Sequence, residues 1–302
     1  MREAQARKIC TRLLAYLQLY PGRARVHSVF PRALNIEARF GIFSVLQGEG
    51  GLRPFSCETG PLMPFTELPC KAGEELRILD NCIEFPASDW VLRLSGAQAV
   101  DLSVDAILHS IVPVDLPLRM RYLLRVLTEH AQSEDMTPLV IAGAADNPYT
   151  TLLRPRIEEL RAAVDEQDLR AAAETAGAMS GCGMGLTPAS DDFLCGYMSA
   201  YAVLSKALGR RRERVLPLTR AMAGEAAKHT NDLSAAFLLQ SGEGLMAEPV
   251  FALLLALFSD APYQSLTMHA ARVAALGASS GTDMLSGLYL SIRHHLGGIE
   301  ID

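Results

Sequence analysis

The strongest constraint on this chain is the stretch 181–197, GCGMGLTPASDDFLCGY. Gly181, Gly183 and Gly185 alternate with other residues, and glycine alone enters positive φ without steric cost. Pro188 fixes φ and lacks an N–H, which suits a turn or the first position of a helix. Ser190, Asp191 and Asp192 then open an apolar run, where such side chains can accept the orphan N–H groups of a helix start. The pattern predicts a tight loop feeding a helix from Ser190 to Leu208, closed by Gly209. A weaker echo, GASSGTDMLSG, spans Gly277 to Gly287.

The two segments share a spacing. Asp192 to Gly196 and Asp283 to Gly287 both read D-x-L-x-G, and residues four apart lie on one helix face. A glycine inside a helix costs about 0.8–1 kcal/mol relative to alanine. Its presence here predicts that Gly196 and Gly287 let two helices touch. Two helix starts that meet offer free N–H groups and a positive dipole end to an anion. The candidate ligand-binding residues are Gly183, Gly185, Thr187 and Ser190 in the first loop and Ser279, Ser280 and Gly281 in the second. Asp191, Asp192 and Asp283 are the candidate catalytic residues. Carboxylates oppose a bare anion, so they cap the helices, meet a cationic or N–H group, or hold Mg²⁺. No metal or cofactor is required by this pattern; Mg²⁺ is the ion it leaves open. For any one aspartate, a capping role in a tight turn stands as the plain alternative. A third segment, Lys228 to Phe237, sets Thr230, Asn231, Asp232 and Ser234 in an alanine-rich surrounding. Such residues prefer helix ends, so either a helix starts there or a polar face lines a cavity. Thr230 and Ser234 join the ligand-binding set on the second reading.

The wider sequence bounds the function class. The chain has 302 residues and a net charge of −6, and no basic stripe, which argues against a nucleic-acid partner. The longest apolar run, Val250 to Phe258, is far short of the ~20 residues that span a bilayer. The six cysteines form no C-x-x-C pair, so reduced thiols in a cytoplasmic protein are expected, with Cys182 and Cys195 as packing residues. His294 and His295 fall in a last helical turn, where cations are favoured.

From Arg25 to Leu116, β-branched and aromatic residues alternate with polar ones. Val26–Phe30, Leu34–Phe40, Ile42–Gln47, Leu76–Ile83 and Trp90–Leu94 read as strands, after an amphipathic helix near Leu13–Tyr20. The rest is alanine- and leucine-rich with helical period. Tyr122–His130, Arg156–Val164, Asp168–Met179, Glu213–Lys228, Leu233–Gln240, Pro249–Phe258, Ser265–Leu276 and Thr282–His295 read as helices, with Asp165 as a cap candidate and Gly297 and Gly298 as the final stop. The expected fold class is α+β. A mainly antiparallel β domain (1–117) leads through a linker with one helix (118–148) to an all-helical domain (149–302).

Gly181 to Gly196, Thr230 to Ser234 and Leu276 to Gly287 together resemble a bacterial family catalogued as a domain of unknown function. It contains AllH, the third subunit of the oxamate carbamoyltransferase of anaerobic allantoin breakdown. The family pattern is G-x-G-x-G-L-T-P-S-x-D-D-x-L-x-G, then T-x-x-S, then L-G-H-x-S-G-x-D-x-L-x-G. Arg32-Ala33-Leu34-Asn35 resembles its upstream R-A-x-N segment. Two positions depart: Ala189 stands for the serine after Thr-Pro, and Ala278 for a frequent histidine. The resemblance implies a carbamoyltransferase subunit acting with an acyl-CoA synthetase-like subunit and a second uncharacterised one. In that system a carbamoyl group passes between oxalurate and phosphate, giving oxamate and carbamoyl phosphate. A non-catalytic assembly or regulatory subunit, and a stand-alone metal- or phosphate-dependent enzyme on a small acid, are the alternatives.

Overall fold

Burial alternates from the start of the chain. Ala4 and Ala6 are buried between exposed Glu3, Gln5 and Arg7, and Arg2–Cys10 forms strand β1. The structure is a computed structural model that describes residues 2–48, 50–60, 64–210 and 212–296. Its chain divides into two units, Met1–Leu102 and Ser103–Asp302. The expected N-terminal helix exists as α1 (Thr11–Leu19), which buries Leu13 and Leu17. It follows β1 directly. Two of the four buried residues of β1, Ala4 and Ala6, are small alanines, which carry little strand signal.

The remaining strands are β2 (Gly22–Phe30), β3 (Ala33–Ala38), β4 (Gly41–Gln47), β5 (Ser56–Thr59), β6 (Glu75–Leu79), β7 (Cys82–Phe85), β8 (Trp90–Arg93) and β9 (Gln98–Val100). The stretch read as one strand, Leu76–Ile83, is a hairpin: β6 and β7 pair antiparallel across Asp80 and Asn81, residues suited to a turn. The sheet order is β5-β4-β3-β2-β6-β7-β8-β1-β9, and β5 also pairs with β1. That last pairing closes the sheet into a barrel, which removes open edges. β1 makes the closure by serving several neighbours. Arg2–Gln5 pair with β8, Lys8–Cys10 with β9, and Ala6–Ile9 with β5, with a register shift between Ala6 and Lys8. Among the described residues β1–β8, β1–β9 and β4–β5 are parallel and the other pairings antiparallel. Asn35 is buried in this wall. Its amide donates to Ser28 Oγ at 2.9 Å and accepts from Ser44 Oγ at 2.7 Å, while Arg32 is exposed at the β2–β3 turn.

The second unit is helical. It comprises α2 (Val104–Ile107), α3 (Leu116–His130), α4 (Pro148–Asp165), α5 (Leu169–Met179), α6 (Ala189–Ala207), α7 (Arg212–Ala226), α8 (Asp232–Gly242), α9 (Glu248–Leu257), α10 (Tyr263–Ala274) and α11 (Ser280–His295). The α+β class therefore holds. Asp165 is the last residue of α4, and the cap of α5 is Asp168, whose carboxylate accepts from Arg170 and Ala171 N–H. Gly297 and Gly298 lie outside the described residues. No described helix is long and apolar enough to cross a membrane.

α6 is the centre of this unit. Every residue from Ala189 to Ser205 is buried, the mark of a helix packed on all sides. α11 crosses it at Gly196 and Gly287. A Cβ on Gly196 would overlap the Met284 carbonyl, and one on Gly287 would overlap the Phe193 carbonyl. The helices therefore touch backbone to backbone, as the repeated D-x-L-x-G spacing predicts. At the far end of α11, His295 Nδ1 lies 2.9 Å from Asp165 Oδ1 and its Nε2 lies 3.1 Å from the Tyr197 hydroxyl. Burial pushes His294 down to about 4 and also lowers His295. Neither is the helix-end cation expected from position alone.

Candidate functional site

The glycine loop is fixed by close backbone approach. Gly181 (φ +75°) packs against the His229 carbonyl, and Gly183 (φ +130°) against the Ala189 amide, leaving no room for a Cβ at either. Ser190 N–H donates to the Cys182 carbonyl, and Cys182 N–H donates back to Ser190 Oγ, both at 2.9 Å. Asn231 caps α8 by accepting from Ser234 N–H, and its amide donates to the Leu186 carbonyl at 2.9 Å. The loop is thus clamped between the α7–α8 junction and the start of α6.

The three aspartates are buried, with exposures of 0% for Asp191, 2% for Asp192 and 0% for Asp283. None of them caps its own helix. Pro188 and Ser279 occupy the cap positions of α6 and α11, and neither makes a side-chain cap bond. Asp191 instead gathers four donors. Ser180 Oγ and Gly181 N–H reach Oδ1 at 2.8 Å, while Thr230 Oγ1 and Ser234 Oγ reach Oδ2. Thr230 and Ser234 therefore serve Asp191, and α8 does begin at this segment.

Asp192 and Asp283 face the helix crossing. Asp192 Oδ2 accepts from Thr187 Oγ1 at 2.7 Å, and Thr187 Oγ1 lies 3.1 Å from Ser280 Oγ. That hydroxyl pair joins the two loops, so the structure brings Thr187, Ser280, Asp192 and Asp283 together. Ser279 uses its carbonyl to accept from Thr282 Oγ1 and Asp283 N–H. Gly281 is pressed against the Val273 carbonyl, and Gly185 (φ +102°) is exposed at the loop tip.

A segment the sequence reading passed over completes the floor. Met136 N–H donates to Asp283 Oδ1 at 2.8 Å. Asp135 holds that turn in shape: it accepts from Thr137 N–H and Oγ1 and from Gln132 N–H. Gln132 Nε2 also donates to the Ala278 carbonyl at 2.6 Å. The signal available in sequence was Asp135-Met-Thr-Pro138, an aspartate two residues before Thr-Pro, which favours a side-chain-closed turn.

Asp283 differs from the other buried carboxyls. Asp191 has four donors and Asp135 three, but Asp283 Oδ2 has no hydrogen-bond partner among the described residues. Burial pushes its carboxyl up to about 8; Asp192 and Asp135 add to the rise, against Met136 N–H and Ser279. An unfolded aspartate titrates at about 3.9. Between about pH 4 and pH 8 the folded chain therefore holds the extra proton, so this group's contribution to stability falls as pH rises. Asp283→Asn keeps the acceptor for Met136 and cannot ionise. Its urea midpoint should gain on the wild type steadily from pH 5 to 8; a difference flat in pH would mean that Asp283 is ionised throughout.

Other groups are poorly placed for chemistry. Burial pushes the Cys195 and Cys182 thiols up, away from a reactive thiolate. His229 pairs with Glu225 on the surface. Among the described residues no group of three or more His, Cys, Asp or Glu side chains is arranged to hold a metal ion.

Two family models match the chain. One, described as oxamate carbamoyltransferase subunit AllH, spans residues 179–292, from the end of α5 into α11, and so contains the whole loop pair. The other, described as AllH family N-terminal domain, spans residues 5–99, the barrel. No curated protein and no solved structure matches the chain. With the two matches covering most of its length, one on each unit, the chain belongs to the AllH family.

Proposed function

We propose that this protein is a subunit of an oxamate carbamoyltransferase-like complex, and that the α6–α11 loop pair binds its carbamoyl, phosphate or small-carboxylate ligand. The observation that carries the reading is the convergence of two helix starts on buried aspartates that cap neither helix. A capping role would have made them purely local. Carbamoyl transfer builds negative charge on the carbonyl oxygen, and preorganised N–H donors aimed there are worth ~3–4 kcal/mol each. The backbone around Gly185, Gly277 and Ala278 is exposed beside Thr187 and Ser280, where such donors are needed. Asp191 fixes the loop, while Asp192 and Asp283 set the polarity beneath it. Met184 and Leu186 stand exposed at the loop tip and offer apolar surface to companion subunits, an acyl-CoA synthetase-like one among them. A cytoplasmic complex is the natural setting. Mg²⁺ has no ready-made cage among the described residues and would enter with the ligand.

The near-complete burial of the three aspartates favours one rival, a non-catalytic assembly subunit whose loop pair only locks two helices. Asp192→Ala in the assembled complex separates the two. The catalytic reading expects folded, assembled protein with turnover down on the order of 10²-fold. Normal turnover in an intact assembly would leave only the structural role.

A further inference from the structure

A second pocket lies at the far end of α6 from the loop pair. A cavity of about 720 Å³ is lined by Asp165, Gln167, Leu208, Gly209, Arg210 and Arg214, within the usual size of a small-molecule pocket. Its walls are the α4–α5 turn, the end of α6 and the start of α7. At 1.5 Å per helical residue, α6 holds Asp192 and Gly209 ~25 Å apart.

Buried side chains fix the floor of this cavity from behind. His295 Nδ1 lies 2.9 Å from Asp165 Oδ1, and its Nε2 lies 3.1 Å from the Tyr197 hydroxyl. Burial lowers His295, so the neutral ring donates from Nδ1 to Asp165 and accepts at Nε2 from Tyr197. Gln167 is held as firmly. It takes φ +57°, a conformation that glycine adopts more cheaply. Its Nε2 donates to the Val164 carbonyl at 2.7 Å and to the Tyr201 hydroxyl at 2.8 Å. A carbonyl only accepts, which identifies the amide nitrogen, and both of its protons are spent. Any further bond from Gln167 is accepted at Oε1. The floor therefore offers acceptors alone, the Asp165 carboxylate and Gln167 Oε1.

The rim has the opposite character. Gly209 and Arg210 close α6, donating their backbone N–H groups to the Lys206 and Ser205 carbonyls at 2.9 and 2.8 Å. Arg214 stands in the first turn of α7, where the helix dipole adds positive potential. Asp165 lines the same cavity but pairs with Arg161. Neither Arg210 nor Arg214 has an ion-pair partner among the described residues.

We propose that this cavity is a second ligand site, for a small phosphate monoester carrying hydroxyl groups, with its phosphate on Arg210 and Arg214 and its hydroxyls on Asp165 and Gln167. A carboxylate fills the fork of one guanidinium, whereas a tetrahedral phosphate has oxygens for two. An acceptor-only floor calls for donors, and Leu208 is the one apolar side chain larger than glycine in the lining. Both points favour a polyol ester over an apolar or aromatic one. The site goes beyond the function proposed for the loop pair and does not depend on it.

Ribose 5-phosphate and methyl phosphate form the test pair, since they share the phosphate monoester and differ in the hydroxyls. Binding of each to the intact chain is measured by calorimetry, with inorganic phosphate as a third arm. The wild type should bind ribose 5-phosphate at least roughly tenfold more tightly than methyl phosphate. Arg210→Gln and Arg214→Gln should each weaken both esters roughly tenfold. Asp165→Asn keeps an acceptor for His295 but loses the carboxylate, so it should erase the preference and leave methyl phosphate no weaker. Asp192→Asn, in the loop pair, should change none of these values. Weaker ribose 5-phosphate binding in Asp192→Asn would place the ligand at the loop pair and overturn the proposal. Equal binding of the two esters, or tighter binding of inorganic phosphate than of either, also overturns it. So does a wild type that fails to bind ribose 5-phosphate at ~10 mM. Circular dichroism checks the fold of each variant, and Arg214 is exposed, so Arg214→Gln gives a readout even where another variant does not fold.

Discussion

Gly287→Val should abolish folding of the helical unit, and Gly287→Ala alone should cost at least ~3 kcal/mol. A Cβ at Gly287 would occupy the space of the Phe193 carbonyl and crowd the Tyr197 amide. Both are backbone atoms of α6, which is buried on every side and cannot swing away. Overpacking between side chains costs about 1–3 kcal/mol because rotamers adjust. Backbone against backbone has no such relief, so the alanine variant sits at or above the top of that range. The helix-propensity gain of about 1 kcal/mol for replacing glycine acts in the opposite direction and is outweighed. Against a total stability of about 5–15 kcal/mol, the valine variant has little left. Gly224→Ala is the matched control. It lies inside α7 with open space where a Cβ would go, so the propensity term stands alone and the variant gains up to ~1 kcal/mol. Urea unfolding followed by circular dichroism measures all three. A Gly287→Ala midpoint close to wild type would mean that the helices do not cross in contact.

That crossing was legible because the repeat encodes it. An aspartate and a glycine four residues apart share a helix face, so two copies of D-x-L-x-G describe two helices meeting at their glycines, each against the other helix's backbone. The helical periods of the second unit were equally readable, since α6 to α11 alternate long apolar runs with glycine and proline breaks. The barrel was less so. Ala4 and Ala6 bury little, β6 and β7 merge into one apolar run across Asp80 and Asn81, and the β5–β1 pairing that closes the sheet joins distant segments. The division of labour among the aspartates was also hidden. Neighbours on a helix point about 100° apart, so Asp191 and Asp192 must serve different partners, but sequence does not say which. Asp191 turns to Thr230 and Ser234 of the α8 start, and Asp192 turns to Thr187 and the α11 loop. Met136 reaches the site from 147 positions away from Asp283, and although the Asp135 turn has a local signature, its contact with Asp283 has none.

Asp191→Ala should destabilise the helical unit by ~3–5 kcal/mol, since each neutral donor left without an acceptor inside the fold costs about 1–3 kcal/mol and some of the hydroxyls find other partners. Four donors lose their acceptor at once: the Ser180, Thr230 and Ser234 hydroxyls and the Gly181 amide. The hydroxyls can rotate, and Ser180 already lies 2.8 Å from the Ala226 carbonyl, so the full sum of four unmade bonds is not reached. The Gly181 amide cannot rotate, because its φ of +75° is held by contact with the His229 carbonyl. Its hydrogen-exchange protection should therefore collapse first, ahead of global unfolding. Asp191→Asn retains one good acceptor and sets an –NH₂ against part of the donor set, so its loss should fall between wild type and alanine. Replacing Thr230 and Ser234 together by alanine removes two of the same bonds and leaves the Gly181 contact in place. That double variant should lose stability while keeping Gly181 protected. If Asp191→Ala instead keeps both its midpoint and its Gly181 protection yet stops turnover in the assembled complex, Asp191 acts on the ligand directly. The split between a loop-fixing Asp191 and a ligand-facing Asp192 would then have to be reversed.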